Sequence, residues 1–331
     1  MRILIATGLS PLDVGGTAQY ASNMARELNL MGHNAWIVGY GRVEKNLPIG
    51  FRHLYFLLKT IPKAFYSDRI IALDTFSVGI PALWASWILR KKIIVRVGGD
   101  FLWESYVNRT GEMITLPEFY KKAQSLNRKE RIILYFTKIL LKNAYKLAFN
   151  TEWQRKIWVA AYHIQEGKTA VTRNYIPPKA EATALGNKVF LWAGRESKVK
   201  NTDRLHEVAR KVKLHHPEFS LDFATNIPYK DLMEKMNNSY AVVLPSLSDV
   251  CPNFILEAAS FNKPFIMTKE TGLREIYPKG GLFVDSRSSA ELEVAIESLL
   301  QPQEYARFVA ELKSLNPEHS WKEIAQELIT L

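Results

Sequence analysis

Short β-rich runs alternate with stretches whose apolar residues recur every three or four positions. Arg2 to Ala6 is a strand-like run, and Thr17 to Met31 carries Tyr20, Met24, Leu28 and Met31 on one helical face. Gly8 to Gly16, between them, is rich in turn formers, and Ala35-Trp36-Ile37-Val38 follows as a second strand. Strand, loop, helix, strand over this length is a βαβ unit, which implies a parallel sheet. The pattern recurs with the strand Ile70 to Asp74, the helix Pro81 to Leu89 and the strand Ile93 to Val97. The helix Glu130 to Lys142 and the strand Leu147 to Asn150 continue it. The segment Trp103 to Tyr120 is aromatic and reads as irregular.

The rhythm breaks at Arg173-Asn174-Tyr175-Ile176-Pro177-Pro178, because consecutive prolines remove backbone donors and bar helix continuation. A second series then starts with the strand Val189 to Ala193, the helix Asp203 to His215 and the strand Ser220 to Ala224. It goes on with the helix Lys230 to Asn237, the strand Ala241 to Leu244, the helix Asn253 to Ser260 and the strand Phe265 to Met267. Gly281 to Val284 and the helix Ala290 to Leu300 end it. Two α/β domains are expected, which fits 331 residues at the usual domain size of about 100–200.

Composition narrows the function classes. An apolar fraction of 47% with 23% charged residues is that of a folded globular chain. The longest apolar stretch, Val78 to Leu89, contains Pro81 and is too short to cross a bilayer. The N-terminal residues run straight into a strand and do not read as a signal peptide, so a cytoplasmic location is expected. A single cysteine, Cys251, excludes an internal disulfide and reads as a space-filler. The formal net charge of +11 points to an acidic partner, whether nucleic acid, an anionic membrane or a phosphorylated substrate. The basic residues lie throughout both halves instead of in a stripe, which disfavours nucleic acid. The helix Arg128 to Lys142 sets Arg131, Lys138 and Lys142 against Ile132, Phe136, Ile139 and Leu140, as a solvated surface helix or one resting on an anionic membrane would.

Three segments could carry chemistry. Gly15-Gly16-Thr17, between the first strand and helix, offers backbone N–H groups and a helix dipole to an anion, or is a plain tight turn. It lacks the G-x-G-x-x-G spacing, and no ribose-binding acid ends the second strand, so nicotinamide chemistry is disfavoured. Gly194-Arg195, with Lys200 five residues on, places cations at the carboxyl end of a parallel strand, where such sheets bind ligands; a solvated basic loop is the plain alternative. In the segment Leu244 to Ser260, Asp249 lies in a polar loop and Pro252 suits the first helical turn. The N–H groups of Asn253 and Phe254 are therefore available to an anion or hydroxyl. Glu257, one turn into the helix, can accept two hydrogen bonds from a vicinal diol such as ribose, or is simply a helix-start acid. No histidine pair with a neighbouring acid suggests a metal.

The segment from Asp249 to Glu257, with Lys263-Pro264-Phe265 and Thr271-Gly272-Leu273-Arg274-Glu275-Ile276, resembles the donor-binding signature of the family-four retaining glycosyltransferases of GT-B fold. Gly194-Arg195 with Lys200 resembles that family's phosphate-binding strand end, and Gly15-Gly16-Thr17 its first loop. The resemblance implies two Rossmann-like domains facing a central cleft. They would be an acceptor domain over 1–173, a nucleotide-sugar donor domain over 174–315 and a closing helix over 316–331 that packs back on the first. It also implies metal-independent, retaining transfer of a hexose-type sugar from a UDP- or GDP-linked donor to a glycan, lipid-linked or small-molecule acceptor, with no cofactor. Glu257 would hold the ribose, Arg195 and Lys200 the diphosphate, and Asp249 the donor sugar's hydroxyls. Asp249 stands where the family usually has Glu. The family's histidine beside the sugar has Gly98 in its place, with Asp100 as a candidate substitute that a helix-capping role would equally explain. These departures raise the alternative of a sugar-nucleotide-binding protein with little turnover.

Overall fold

The computed structural model describes residues 1–9, 16–122, 124–180 and 187–331. In chain order the elements are β1 Arg2–Thr7, α1 Gly16–Leu30, β2 Asn34–Gly39, α2 Arg42–Asn46, α3 Ile49–Phe65, β3 Arg69–Ala72, α4 Gly79–Leu89 and β4 Lys92–Val97. Then come α5 Phe101–Thr110, α6 Leu116–Lys121, α7 Arg128–Asn143, β5 Lys146–Phe149, α8 Glu152–Tyr162 and β6 Thr169–Val171. The second series is β7 Lys188–Ala193, α9 Thr202–His215, β8 Phe219–Ala224, α10 Tyr229–Asn237, β9 Ala241–Leu244, α11 Asn253–Ser260, β10 Phe265–Thr268 and β11 Gly281–Val284. Helices α12 Ser289–Leu300, α13 Pro302–Ser314 and α14 Trp321–Thr330 close the chain.

The chain packs as two compact units. The first takes residues 1–102, 124–174 and 320–331 and holds a parallel sheet of order β2-β1-β3-β4-β5-β6. Its strands are apolar on both faces because helices cover both: Ile3, Leu4, Ile5 and Ala6 are fully buried, as are Ile70 and Ile94. Helix α14 belongs to this unit. Ile324, Ala325 and Leu328 are buried as it packs on α1, and Trp321 meets the Tyr20 ring edge-on at 5.2 Å. Ser320 and Glu323 start α14 with a reciprocal capping box, which satisfies orphan N–H groups of its first turn.

The second unit takes 175–319 together with 103–122 from the first half of the chain. Its parallel sheet runs β11-β10-β9-β7-β8. The direction in which strands are added to the sheet reverses between β7 and β9, since β8 lies to one side of β7 and β9, β10 and β11 to the other. In open parallel sheets ligands bind at the carboxyl ends of the strands flanking such a switch point. The division is not a single cut at 173/174, because 103–122 packs with 175–319.

The sequence reading left out α2, α8, β6 and α13, and two further segments differ from it more sharply. Within residues 103–120, 103–110 and 116–120 are helical, in α5 and α6, the latter started by a Thr115–Glu118 capping box with Pro117 in its first turn. Helix α3 was not anticipated. It is apolar on two sides and contains Pro62, so a single-face periodicity does not stand out.

Candidate donor site

The loops that follow β7 and β9 flank the switch point and carry most of the residues singled out in the sequence. After Ala193 the chain passes Gly194 and the exposed Arg195, then makes a short 3-10 turn, Lys198–Lys200. Arg195 forms no ion pair with any described residue, so its guanidinium fork is open to a ligand. Asn201 ends the turn in the left-handed region at φ 54°, where asparagine is among the better tolerated side chains. Its buried amide donates to Pro245 O at 3.2 Å and Ser286 O at 2.6 Å. One side chain thus ties the loop after β7 to those after β9 and β11.

The loop after β9 is held along its backbone. Leu247 N donates to Val199 O at 2.9 Å, Asp249 N to Glu270 O at 3.1 Å, and Gly272 N to Val250 O at 3.0 Å. This brings Lys200 Nζ to 2.6 Å from Asp249 Oδ2, with the side chains 29% and 15% exposed. The sequence reading gave these two groups to different parts of a donor, and the structure pairs them directly. Both keep a solvent-facing side, so the pair is a site feature and not a core one. Ser246 Oγ lies 3.5 Å from the same carboxylate oxygen.

Pro252 is the N-cap residue ahead of α11 and supplies no side-chain cap. The helix N-terminus is thereby left with backbone donors, next to a buried Cys251 and Phe254 and an exposed Asn253. Glu257 sits one turn in, partly buried, and accepts a 3.1 Å hydrogen bond from the Tyr229 hydroxyl at the start of α10. Burial pushes its carboxyl up to about 7, the hydrogen bond from Tyr229 pulling the other way.

Residues 103–122 grip these same loops. Leu116 N donates to Ser248 Oγ at 2.9 Å, next to Asp249, and Lys198 N donates to Asn108 Oδ1 at 3.1 Å, two residues before Lys200. Both carboxylate oxygens of Glu118 accept from Arg287 Nη1, at 2.9 and 3.0 Å, and one also accepts from Thr115 N, while Arg287 pairs with Asp285 as well. Asn201, Tyr229 and Ser248 were not foreseen. Each acts across a gap in sequence that periodicity does not bridge.

The remaining positions lie in the first unit. Gly15 is outside the described residues, and Gly16 is the first residue of α1. Asp100 is 3% exposed directly ahead of α5, while Gly98 O accepts from the Gln154 amide. Nearby, Arg96 is buried over the Tyr20 ring and donates to Asn150, Thr172 O and Asn174.

Residues 176–302 match the family model described as Glycosyl transferases group 1. The match spans the strand series of the second sheet, from just after β6 to the start of α13. It contains Arg195, Lys200, Asp249, Pro252, Asn253, Phe254 and Glu257, so all the candidates of the second unit fall within the matched residues. No curated protein matches the chain. Among solved structures, sucrose-phosphate synthase from Thermosynechococcus elongatus is 14% identical over 100% of this chain and 98% of its own, at a TM-score of 0.70. HepE of Anabaena, in complex with UDP and glucose, is 15% identical over 100% and 98%, also at 0.70. The UDP-forming α,α-trehalose-phosphate synthase from Burkholderia vietnamiensis is 11% identical over 100% and 99%, at 0.68. At these identities the likeness establishes the fold, which is GT-B with two Rossmann-like units.

Proposed function

We propose that the chain is a metal-independent retaining transferase that moves a hexose-type sugar from a nucleotide diphosphate donor to a glycan, lipid-linked or small-molecule acceptor. The observation that carries this reading is the convergence of Arg195, the Lys200–Asp249 pair, the start of α11 and Glu257 on the loops flanking the switch point of the second sheet. Glu257 accepts from the ribose diol and Arg195 forks onto the diphosphate. Lys200, released in part from Asp249, stabilises the negative charge that grows on the leaving nucleotide diphosphate, and a fixed cation there lowers the barrier. Asp249 takes a sugar hydroxyl in exchange. UDP is the first nucleotide to test, because HepE has been crystallised with it and shares this fold. Polysaccharide building at an anionic membrane surface suits the positive charge of the chain.

A second reading, nucleotide-sugar binding with little transfer, draws on the same ion pair, since each partner already occupies the other. Thermal shift against UDP-, GDP- and ADP-sugars, followed by nucleotide release with an acceptor panel, separates them. Stabilisation with turnover supports the transferase, stabilisation without nucleotide release supports the binder, and no stabilisation by any sugar nucleotide refutes both.

A further inference from the structure

Helix α3 has two apolar stripes. One, formed by His53, Phe56, Leu57, Thr60 and Ala64, is buried in the first unit. The other repeats the same spacing on the outside: Phe51 is 68% exposed, Leu54 51%, Tyr55 40%, Leu58 60% and Phe65 61%. A solvated surface helix turns polar residues outward, so this second stripe has no role in the fold of the unit that bears it. Helix α4 packs beside α3 and adds Trp87 and Ile88, and α7 packs on α4 through the Trp84–Phe136 contact, adding Ile132 and Tyr135.

The charge on these three helices is one-sided. Together they carry eight lysines and arginines, and their single acid, Glu130, is fully buried. Lys59 is met by the buried Glu44. The others, including Arg128, Lys129, Arg131, Lys138 and Lys142 on α7, form no ion pair with any described residue, and the α7 cations lie on the helix that packs on α4 next to the stripe. We infer that the α3–α4–α7 face is a docking surface for an anionic lipid bilayer, with Phe51, Leu54, Tyr55 and Leu58 entering the headgroup boundary and the α7 cations meeting lipid phosphates. Amphipathic aromatic rings and basic residues are the pair of features that an anionic interface selects. A protein partner would need acidic groups matched to a convex apolar helix, whereas a bilayer requires only the exposed stripe and the sign of charge. This deepens the reading of a membrane-presented acceptor and rests on that reading only for its biological purpose.

The test uses the full chain without donor, so its outcome is independent of catalysis. Co-sedimentation is measured with vesicles of phosphatidylcholine alone and of phosphatidylcholine with about a third phosphatidylglycerol, the latter binding more tightly because of its surface potential. The wild type is expected on the anionic vesicles and off the neutral ones. Leu54→Glu with Leu58→Glu should weaken binding at least about tenfold, as should Arg131→Glu with Lys138→Glu. Leu214→Glu, at a 79% exposed position of α9 in the other unit, should change nothing. Circular dichroism melts check that the variants fold, and Phe51→Ser repeats the test should the double glutamate variant melt early. Unaltered vesicle binding in the α3 variants overturns the inference. So does a wild type that ignores anionic vesicles, or one that forms a dimer which Leu58→Glu dissolves.

Discussion

Glu257→Gln separates what the fold wants from what a ligand wants at one position. In the unliganded protein burial raises the Glu257 carboxyl from its ordinary 4.5 to about 7. A shift of that size corresponds to roughly 3 kcal/mol at 1.36 kcal/mol per unit. The sign follows from linkage. The folded state holds the proton more tightly than the unfolded state, so this group favours folding fully below about 4.5 and its contribution is lost as pH rises through about 7. Glutamine never ionises and can keep an acceptor for the Tyr229 hydroxyl, so the variant escapes that loss. Denaturant melts of the two proteins should nearly coincide near pH 4.5. Between pH 4.5 and 7 they should diverge, and above pH 7 the glutamine form should stay more stable by up to roughly 3 kcal/mol, the side chain's partial exposure reducing this.

Donor binding should move in the opposite direction. A carboxylate that accepts from both hydroxyls of a ribose is stabilised in its charged form, so binding releases a proton and the affinity of the wild type should rise between pH 6 and pH 8. The glutamine variant should lose affinity and show no such rise. Calorimetry of UDP titrated into both proteins, in two buffers of different ionisation enthalpy, reads the proton release directly. Equal stabilities at pH 8 would reject the raised carboxyl. A UDP affinity independent of pH and unchanged in Glu257→Gln would reject its contact with the ribose.

Three further outcomes test the rest of the site. Arg195→Ala should leave the melting temperature unchanged, because the side chain is exposed, and cost about 1.5–3 kcal/mol of nucleotide diphosphate affinity by calorimetry. Lys200→Ala and Asp249→Asn should each destabilise, and the double variant should show a coupling of about 1 kcal/mol in denaturant melts, modest because both groups are partly exposed; additive losses would mean the 2.6 Å contact is energetically idle. Asn201→Ala removes the amide that serves two buried carbonyls and leaves a β-carbon in the left-handed region, so it should cost about 1–3 kcal/mol. Asn201→Gly relieves only the backbone part and should fall between the two.

What the sequence discloses about this chain is what local chemistry dictates, and what it conceals is set by convergence. The strands were legible because helices cover both faces of each sheet, which leaves β1, β4 and β9 as near-continuous apolar runs. The placement of Arg195, Asp249 and Glu257 just after β7 and β9 was legible because their neighbours form contiguous motifs. Helix α3 was obscured by the feature that gives it interest: a second apolar stripe flattens the periodicity that marks a surface helix. Residues 103–120 looked irregular since two short helices meet there through their aromatic side chains, Tyr106 against Phe119 and Trp103 donating to Ile114 O, and neither is long enough to show a periodicity. The Lys200–Asp249 pair spans 49 residues, and Asn201 reaches carbonyls 44 and 85 residues away. No spacing rule covers such distances, but topology does. Once the order of the second sheet places β7 beside β9, the loops that follow them must meet at the switch point. A cation from one and a carboxylate from the other then face each other before any ligand arrives. Under the proposed function, an incoming diphosphate competes with Asp249 for Lys200, and the donor sugar must replace what the carboxylate gives up. That function would tie recognition of the sugar to the freeing of the cation that stabilises its leaving group.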